Sequence, residues 1–456
     1  MEKREKFASR LGFILISAGC SIGLGDVWRF PYITGQYGGG IFVAIYLLCI
    51  IALGIPIMAM ELAVGRASQK SIATSFRVME HEGQKWHLMG YLGIAGNYLL
   101  MMFYTTVAGW MLAYFWKFLV GRFSGLNTQE VAAVFGNLTA NPLEMTIWMM
   151  ITTVFCFGVC SLGLQKGVEK VTKVMMLLLL AIIITLAIKS MTLPNANAGL
   201  KFYLLPDVTR IQEQGVWETI YAAMSQAFFS LSLGIGSMAI FGSYIAKDRN
   251  LFGESINIAS IDTLVSLIAG LIIFPACFAF GVDPGEGPGL VFVTLPNIFN
   301  AMNGGRIWGT LFFIFMTFAA FSTVIAVFEN IVAFAMDLWG WTRKKASYIN
   351  SILLILLSFP CILGFNVLSG FQPLGKGTMI LDLEDFILSY NLLPVGSLIY
   401  LLFCVTRWGW GFDNFLAEVN TGKGVRMPRA LKWYCQWVLP VIILIVLIQG
   451  YINFFS

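Results

Sequence analysis

The sequence predicts an all-α membrane protein with about eleven transmembrane helices, two of them discontinuous. Three observations predict this class. The chain is 58% hydrophobic and only 12% charged, with a mean hydropathy of +0.79, too apolar for a protein that faces water all round. Apolar stretches of about 20 residues or more, the length that crosses a bilayer, recur from end to end. Two of these stretches are interrupted midway by glycine and small polar residues. The first interruption is Gly19-Cys20-Ser21-Ile22-Gly23-Leu24-Gly25-Asp26, followed by Trp28-Arg29-Phe30-Pro31. The second is Ser230-Leu231-Ser232-Leu233-Gly234-Ile235-Gly236-Ser237. Unwound backbone at membrane depth is tolerated only where it is buried in protein or lines a cavity. Its carbonyls can then bind cations, and half-helix N-termini can bind anions. Two such breaks in corresponding positions predict a transporter with a mid-membrane site.

Span one, 11–36, follows a charged start from Glu2 to Arg10. It has no small-residue cleavage site and is expected to be retained rather than removed as a signal peptide. Span two, 40–64, carries Glu61; span three covers 89–119. Spans four and five, 144–164 and 168–190, flank a turn that begins a run of Lys166, Lys170 and Lys173. Span six, 217–245, carries the second break. Span seven, 256–281, holds Asp262 and Ser266 one turn apart on one face. The stretch 284–304 predicts a loop, Pro284-Gly285-Glu286-Gly287-Pro288-Gly289, and a short re-entrant helix from Leu290 to Asn300. Span eight, 306–338, clusters Ala319, Ser322 and Thr323 on one face and carries Glu329. Span nine is 347–367, and span ten, 380–406, opens on Glu384 and Asp385. Five spans run from each break to the end of its half, and an odd number inverts the second copy. The expected plan is one transmembrane domain over 1–456: repeat one at about 10–190, repeat two at about 215–406, and an extra helix at about 432–455.

With the N-terminus in the cytoplasm, only Lys117, Arg122, Lys189, Lys201, Arg210, Arg306 and Lys376 fall in outward segments. Apart from Arg29, the remaining lysines and arginines, from Lys3 to Lys432, fall on the cytoplasmic side, which predicts N-inside and C-outside. The net charge of +5 follows from this bias and does not predict nucleic-acid binding, which needs a concentrated basic face. The eight cysteines lie in or beside spans without metal-ligand spacing or a disulfide framework. His81 and His87 are too few for a metal site. Asn137-Leu138-Thr139 matches a glycosylation acceptor, a short pattern that is common by chance.

Ionisable residues within spans are costly and usually functional. Asp26, Arg29, Glu61, Asp262, Glu329, Glu384 and Asp385 are the candidates. Glu61 and Glu329 read equally well as structural pairs. Asp26 and Asp262 favour function, because each lies near a break or on a small polar face. Serine and threonine in membrane helices often bond to their own backbone, which alone would explain Ser322 and Thr323. Adjacent hydroxyls beside an open carbonyl also suit a hard cation, and a neutral cage suits sodium better than a divalent ion.

The run Ala-Gly-x-x-x-Gly-Leu-Gly-x-x-Trp-Arg-Phe-Pro-Tyr, Ala18 to Tyr32, with Gly38-Gly39-Gly40 downstream, resembles the first-span signature of the neurotransmitter:sodium symporter family. Gln226 to Gly234 resembles its sixth-span signature, and the eleven-span form is similar to bacterial members. This resemblance implies a second sodium site built from the carbonyls of Gly19, Ile22 and Ala319 and the hydroxyls of Ser322 and Thr323. It implies a first sodium site using the Ser21 carbonyl, Asp26, Ser230, Asp262 and the substrate carboxylate. That carboxylate would also meet the amides near Leu24 and Gly25 and the Tyr104 hydroxyl. The substrate amine would meet carbonyls around Ser21, Phe229 and Ser232. The side-chain pocket would comprise Leu100, Tyr104, Phe229, Ile235, Thr323 and Val327. Arg29 and Asp385, with Gln226 and the Phe229 lid, resemble an outer gate; Arg4, Asp337, Ser243 and Tyr244 resemble an inner one.

Two departures refine the expectation. The amine-transporting relatives carry aspartate where this chain has Gly23, which leaves room for a substrate carboxylate and points to an amino acid. Asp26 and Asp262 stand where asparagine is more usual. Tyr46, Gln226, Ser230 and Ser266 match the positions that hold chloride in some animal relatives, and the Asp262 carboxylate supplies that charge instead. The expected function is alternating-access, sodium-coupled uptake of a large apolar or aromatic amino acid across a bacterial cytoplasmic membrane. Two sodium ions, no chloride requirement and proton antiport complete the expectation. A gated channel and a sensor that binds without transport are the rival classes.

Overall fold

The computed structural model describes residues 5–282 and 289–455. Among the described residues there is no β-strand, and one isolated bridge joins Arg249 to Lys423. The first span is a bent pair, α1 (Arg10–Ser21) and α2 (Gly25–Gln36), at 57°. Then come α3 (Gly40–Ser68), α4 (Leu88–Leu119), α5 (Pro142–Ser161) and α6 (Leu164–Met191). The second broken span is α7 (Val216–Ser230) and α8 (Ser237–Tyr244). The remainder are α9 (Leu251–Ala279), α10 (Gly305–Trp339), α11 (Arg343–Gly364), α12 (Ile380–Val405) and α13 (Leu431–Phe454).

Among the described residues nine unbroken helices are long and apolar enough to cross a membrane, and α1–α2 makes a tenth span. The eleventh predicted span is α7 with α8. Residues 231–236 separate two pieces that are each too short to cross alone, so the break is longer than the first one. The predicted re-entrant helix is present at Leu290–Ala301. Its predicted leading loop, Pro284 to Pro288, lies outside the described residues.

Burial sorts the helices into layers. In α10, 83% of the most apolar window is buried, against 22% in α13. The first is the axis of the bundle and the second its rim. α10 packs along α4, α6 and α1, and α8 lies on α3. Small residues permit the close approaches. A Cβ at Gly65 of α3 would sit 1.8 Å from the Ala239 carbonyl, and one at Gly242 of α8 would sit 2.2 Å from the Leu62 carbonyl. Both backbones therefore touch, as small residues allow between membrane helices.

Candidate functional site

The first break begins where Ile22 leaves helical geometry, at ψ 93°, while its amide still donates to the Ala18 carbonyl at 2.7 Å. The chain resumes in a wide π turn, Gly25–Arg29. Asp26 closes the break from within, its Oδ2 accepting the Gly23 amide at 3.1 Å. The second break is held open by left-handed residues: Ser232 at φ 50°, Gly234 at φ 99° and Gly236 at φ 74°. A side chain at Gly234 would also strike the Leu393 carbonyl at 2.1 Å, so the position requires glycine. The freed polar groups of the break find partners on other helices. The Glu61 carboxylate accepts from the amides of Gly234 at 2.5 Å and Met238 at 3.2 Å, at the start of α8. Asn97 Nδ2 donates to the Ile235 carbonyl at 2.8 Å. Asn330 Nδ2 reaches the Gly236 carbonyl at 3.3 Å and Asn97 Oδ1 at 3.0 Å.

A small cavity of about 30 Å³ lies between the breaks, lined by Ser21, Gly23, Gly25, Leu100, Tyr104, Phe229, Ser232, Ile235, Thr323, Leu388 and Leu393. Nine of these are residues singled out in the sequence as substrate-facing or as the small residue that makes room for substrate. Leu388 and Leu393, from α12, are additions. Val327 is fully buried but is not part of the wall, a departure from the expected pocket. Leu24 meets the site through its backbone, donating to the Tyr104 hydroxyl at 3.0 Å. A Cβ on Gly23 would lie 2.5 Å from the Tyr104 hydroxyl and 2.9 Å from Thr323 Oγ1. Gly23 thus keeps that corner open to two hydroxyls.

Two oxygen clusters flank the cavity. In the first, carbonyls of Gly19, Ile22 and Ala319 lie 3.3, 3.2 and 3.4 Å from Thr323 Oγ1. Ser322 Oγ donates to the Ala319 carbonyl at 2.9 Å. Thr323 carries a single hydroxyl proton, so it can satisfy one of these carbonyls at a time. The lone pairs of the others converge on the same point, and the oxygens carry no formal charge. That is the donor set of a hard monovalent cation.

In the second cluster Ser230 Oγ hydrogen-bonds Asp26 Oδ1 and lies 3.2 Å from Asp262 Oδ2. Ser266 Oγ donates to Asp26 Oδ1 at 2.8 Å, and the Tyr46 hydroxyl bonds Ser230 Oγ at 3.0 Å. Asp26, Tyr46, Ser230, Asp262 and Ser266 are all fully buried. Asp26 accepts from several donors, whereas Asp262 Oδ1 has no hydrogen-bond partner among the described residues.

The outer gate differs from expectation in its contacts. Arg29 and Asp385 form no ion pair within 4 Å. The Arg29 guanidinium lies 4.4 Å from the centre of the Phe229 ring, a cation–π contact. Asp385 instead accepts from Ser389 Oγ at 2.6 Å. Gln226 Nε2 donates to the Gly25 carbonyl at 2.9 Å, and a Cβ on Gly25 would strike the Phe229 ring at 2.7 Å. Phe229 therefore seals the cavity between Gly25 below and Arg29 above.

On the opposite face, Asp337 accepts the Ser71 amide at 2.8 Å and lies 3.6 Å from Lys70 Nζ. Arg4, the expected partner of Asp337, lies outside the described residues. Ser243 Oγ donates to the Ile240 carbonyl at 2.7 Å. Tyr244 donates to Glu329 Oε1 at 2.7 Å, and Arg343 grips both oxygens of Glu329 at 2.6 and 3.0 Å. Glu169 accepts from the Ala8 and Ser9 amides and from Ser9 Oγ, and Glu254 accepts from Arg10 at 2.9 Å. The lysine and arginine bias placed Arg343 on this side but not against Glu329, and sequence reasoning did not bring Glu169 or Glu254 here.

The sequence profile of the Sodium:neurotransmitter symporter family matches residues 4–130 and 129–456. The sodium-dependent transporter YhdH of Bacillus subtilis (strain 168) is 34% identical over 450 residues, covering 98% of each chain. A sodium-dependent transporter of Haemophilus influenzae is 29% identical over 462 residues, again covering 98% of each. The crystal structure of MhsT in complex with L-phenylalanine superposes with a TM-score of 0.87 at 38% identity, covering 98% of this chain and 100% of that one.

Proposed function

The chain belongs to the sodium:neurotransmitter symporter family, a family of multi-pass membrane transporters and not of enzymes, and from that premise we propose that it imports a large apolar or aromatic amino acid with two sodium ions. The observation that carries the coupling is the convergence of the Gly19, Ile22 and Ala319 carbonyls on Thr323. This cluster is the second sodium site, completed by Ser322. The first is Asp26, Ser230 and Asp262, joined by the Ser21 carbonyl and the substrate carboxylate. Substrate completes that site and sodium completes the substrate's, so each raises the affinity of the other by the same factor. The cavity of about 30 Å³ holds little more than one water. Admitting an amino acid requires Phe229 and the α12 leucines to move apart. The inverted repeats span about 10–190 and 215–406, with the extra helix at about 432–455. The membrane is the bacterial cytoplasmic one, with the N-terminus inside and the C-terminus outside. Arg29, Asp385, Gln226 and Phe229 close the outer side. Asp337, Ser243 and Tyr244 act on the inner side, with Arg4 as the fourth member.

Uptake of labelled amino acids into proteoliposomes tests this reading. Concentrative uptake only under an inward sodium gradient supports symport; passive equilibration would mean a channel, and binding without uptake a sensor. The wall of Leu100, Ile235, Leu388 and Leu393 predicts competition among phenylalanine, tyrosine, tryptophan and leucine. A pocket distinguishes neighbours by only about 1–3 kcal/mol per methylene, so several should compete. The phenylalanine bound in MhsT agrees with this class. Glycine or alanine outcompeting all of them would overturn the substrate class.

The lid contact gives a second expectation. Arg29→Ala removes the cation above Phe229, and closure, not contact with substrate, depends on it. Uptake should fall by about tenfold or more while equilibrium binding changes by less than about threefold, because lid motions set turnover. Wild-type uptake by this variant would remove Arg29 from the gate.

A further inference from the structure

A second cavity lies on the outer wall of the bundle. It is a groove of about 580 Å³ between α4, α5, α6 and α10. Its walls are apolar, with Phe155, Val174, Leu178, Ile314, Phe318 and Phe321 among them, and Lys166 and Lys170 close one end. Lys166, Lys170, Val174 and Leu178 follow one another at four-residue intervals, so they form a single stripe down α6. Both lysines are exposed, and neither makes an ion pair with another described residue. Val174 and Leu178 are 52% and 47% exposed, and Phe155 across the groove is 46% exposed. The acid on this turn, Glu169, faces the other way, holding the Ala8 and Ser9 amides. The other nearby acid, Glu5, accepts from the Leu164 amide at 2.8 Å and pairs with Arg343 at 3.1 Å, so the groove meets two lysines that neither acid neutralises through an ion pair.

We propose that this groove is a binding site for one anionic phospholipid, its headgroup phosphate on Lys166 and Lys170 and an acyl chain along Val174 and Leu178. The order of chemistry along the stripe is that of a lipid, charge at the membrane edge and hydrocarbon towards the middle. The distance agrees: the stripe covers about 18 Å at helical rise, close to one leaflet of a hydrocarbon core about 30 Å thick. Basic pockets between membrane helices on the cytoplasmic side bind anionic headgroups, and the lysine and arginine bias places these two lysines on that side. Zwitterionic lipids share the apolar fit but carry no net charge to meet the lysines. The site also has a mechanical neighbour. The turn that carries both lysines carries Glu169, so a lipid seated there steadies the anchor of the N-terminal segment.

Native mass spectrometry of the detergent-purified full chain tests the site, and its readout does not depend on which leaflet the lysines face or on what is transported. With added phosphatidylglycerol or phosphatidylcholine, the wild type should retain one phosphatidylglycerol about 30-fold more readily, since each of the two lysines near the headgroup contributes about 1 kcal/mol. K166Q/K170Q should bring retention down to the phosphatidylcholine level, and K344Q/K345Q, an exposed pair elsewhere, should not. Val174→Trp, which fills the groove and spares the lysines, should also remove the bound lipid. Both groove variants must elute as folded protein on size exclusion, and melting with phosphatidylglycerol in excess should shift the wild type upwards but not the groove variants. Equal retention of the two lipids by the wild type would overturn the proposal. Equal loss in both lysine pairs, or full retention by Val174→Trp, would do so as well.

Discussion

Replacing Ser322 and Thr323 together by alanine is expected to raise the sodium concentration needed for half-maximal substrate binding by about 30-fold or more. In the proposed second sodium site the two hydroxyls complete a cage whose other members are backbone carbonyls, which no substitution removes. A buried hydrogen-bonding group of this kind contributes about 1 to 1.5 kcal/mol, and two together give about 2 to 3 kcal/mol. That corresponds to the stated change in affinity. Substrate binding should recover in part at high sodium, by mass action. The helix should survive, because alanine is a better helix former than either residue and the hydroxyls sit within α10, away from its ends. Scintillation-proximity binding of a labelled amino acid across a sodium titration measures the effect. An unchanged sodium dependence would mean that Ser322 and Thr323 only bond to the carbonyls of their own helix and of α1.

The spans and both breaks were legible because hydropathy and glycine placement are local properties. The cavity wall was legible on the breaks or beside them, at Ser21, Gly23, Gly25, Phe229, Ser232 and Ile235, and at Leu100, Tyr104 and Thr323 only through the family resemblance. Leu388 and Leu393 were not, since leucine in an apolar span carries no mark of the side it faces. Asn97 and Asn330 did carry a mark: an amide inside a membrane helix needs a partner. Their shared task, satisfying the carbonyls of Ile235 and Gly236, requires knowing that α4 and α10 meet at the second break. Glu61 and Glu329 were ambiguous for the same reason. One holds the amides at the start of α8 and the other pairs with Arg343, choices made by partners more than 170 residues away in one case and 14 in the other. The Arg29–Asp385 pair shows the limit of motif reasoning. The motif supplies both residues, but the contact made depends on how far the lid has closed, and here Arg29 rests on the Phe229 ring.

Asp262→Asn is expected to convert a chloride-indifferent transporter into a chloride-dependent one. Tyr46, Ser230 and Ser266 gather around the two carboxylates, while the amide nitrogen of Gln226 donates to the Gly25 carbonyl instead. On this reading the wild-type Asp262 carboxylate supplies the negative charge among these groups while sodium is bound, and would repel an added anion. Asparagine keeps the shape and removes the charge, so an anion must enter to balance the sodium ion. Uptake by the variant should be about tenfold faster in chloride than in gluconate, within the ordinary range of coupling between two ligands; the wild type should not distinguish the two. The same carboxylate faces a difficulty when sodium leaves on the inside. A buried charge without a counter-ion is costly, and taking up a proton is the cheaper state. Asp26 accepts from Ser230, Ser266 and the Gly23 amide, donors that favour its ionised form. Asp262 shares one of these donors and has one oxygen without any. We therefore propose Asp262 as the carrier of a proton on the return step, with Asp26 as its rival. Lowering internal pH should speed wild-type uptake by helping the empty carrier return, and Asp262→Asn should lose that response. Proteoliposome uptake with the two anions and with internal pH set between 6 and 8 reads both effects, pH values chosen to bracket neutrality. A wild type that stops in gluconate, or an asparagine variant indifferent to chloride, would show that Asp262 does not stand in for the anion.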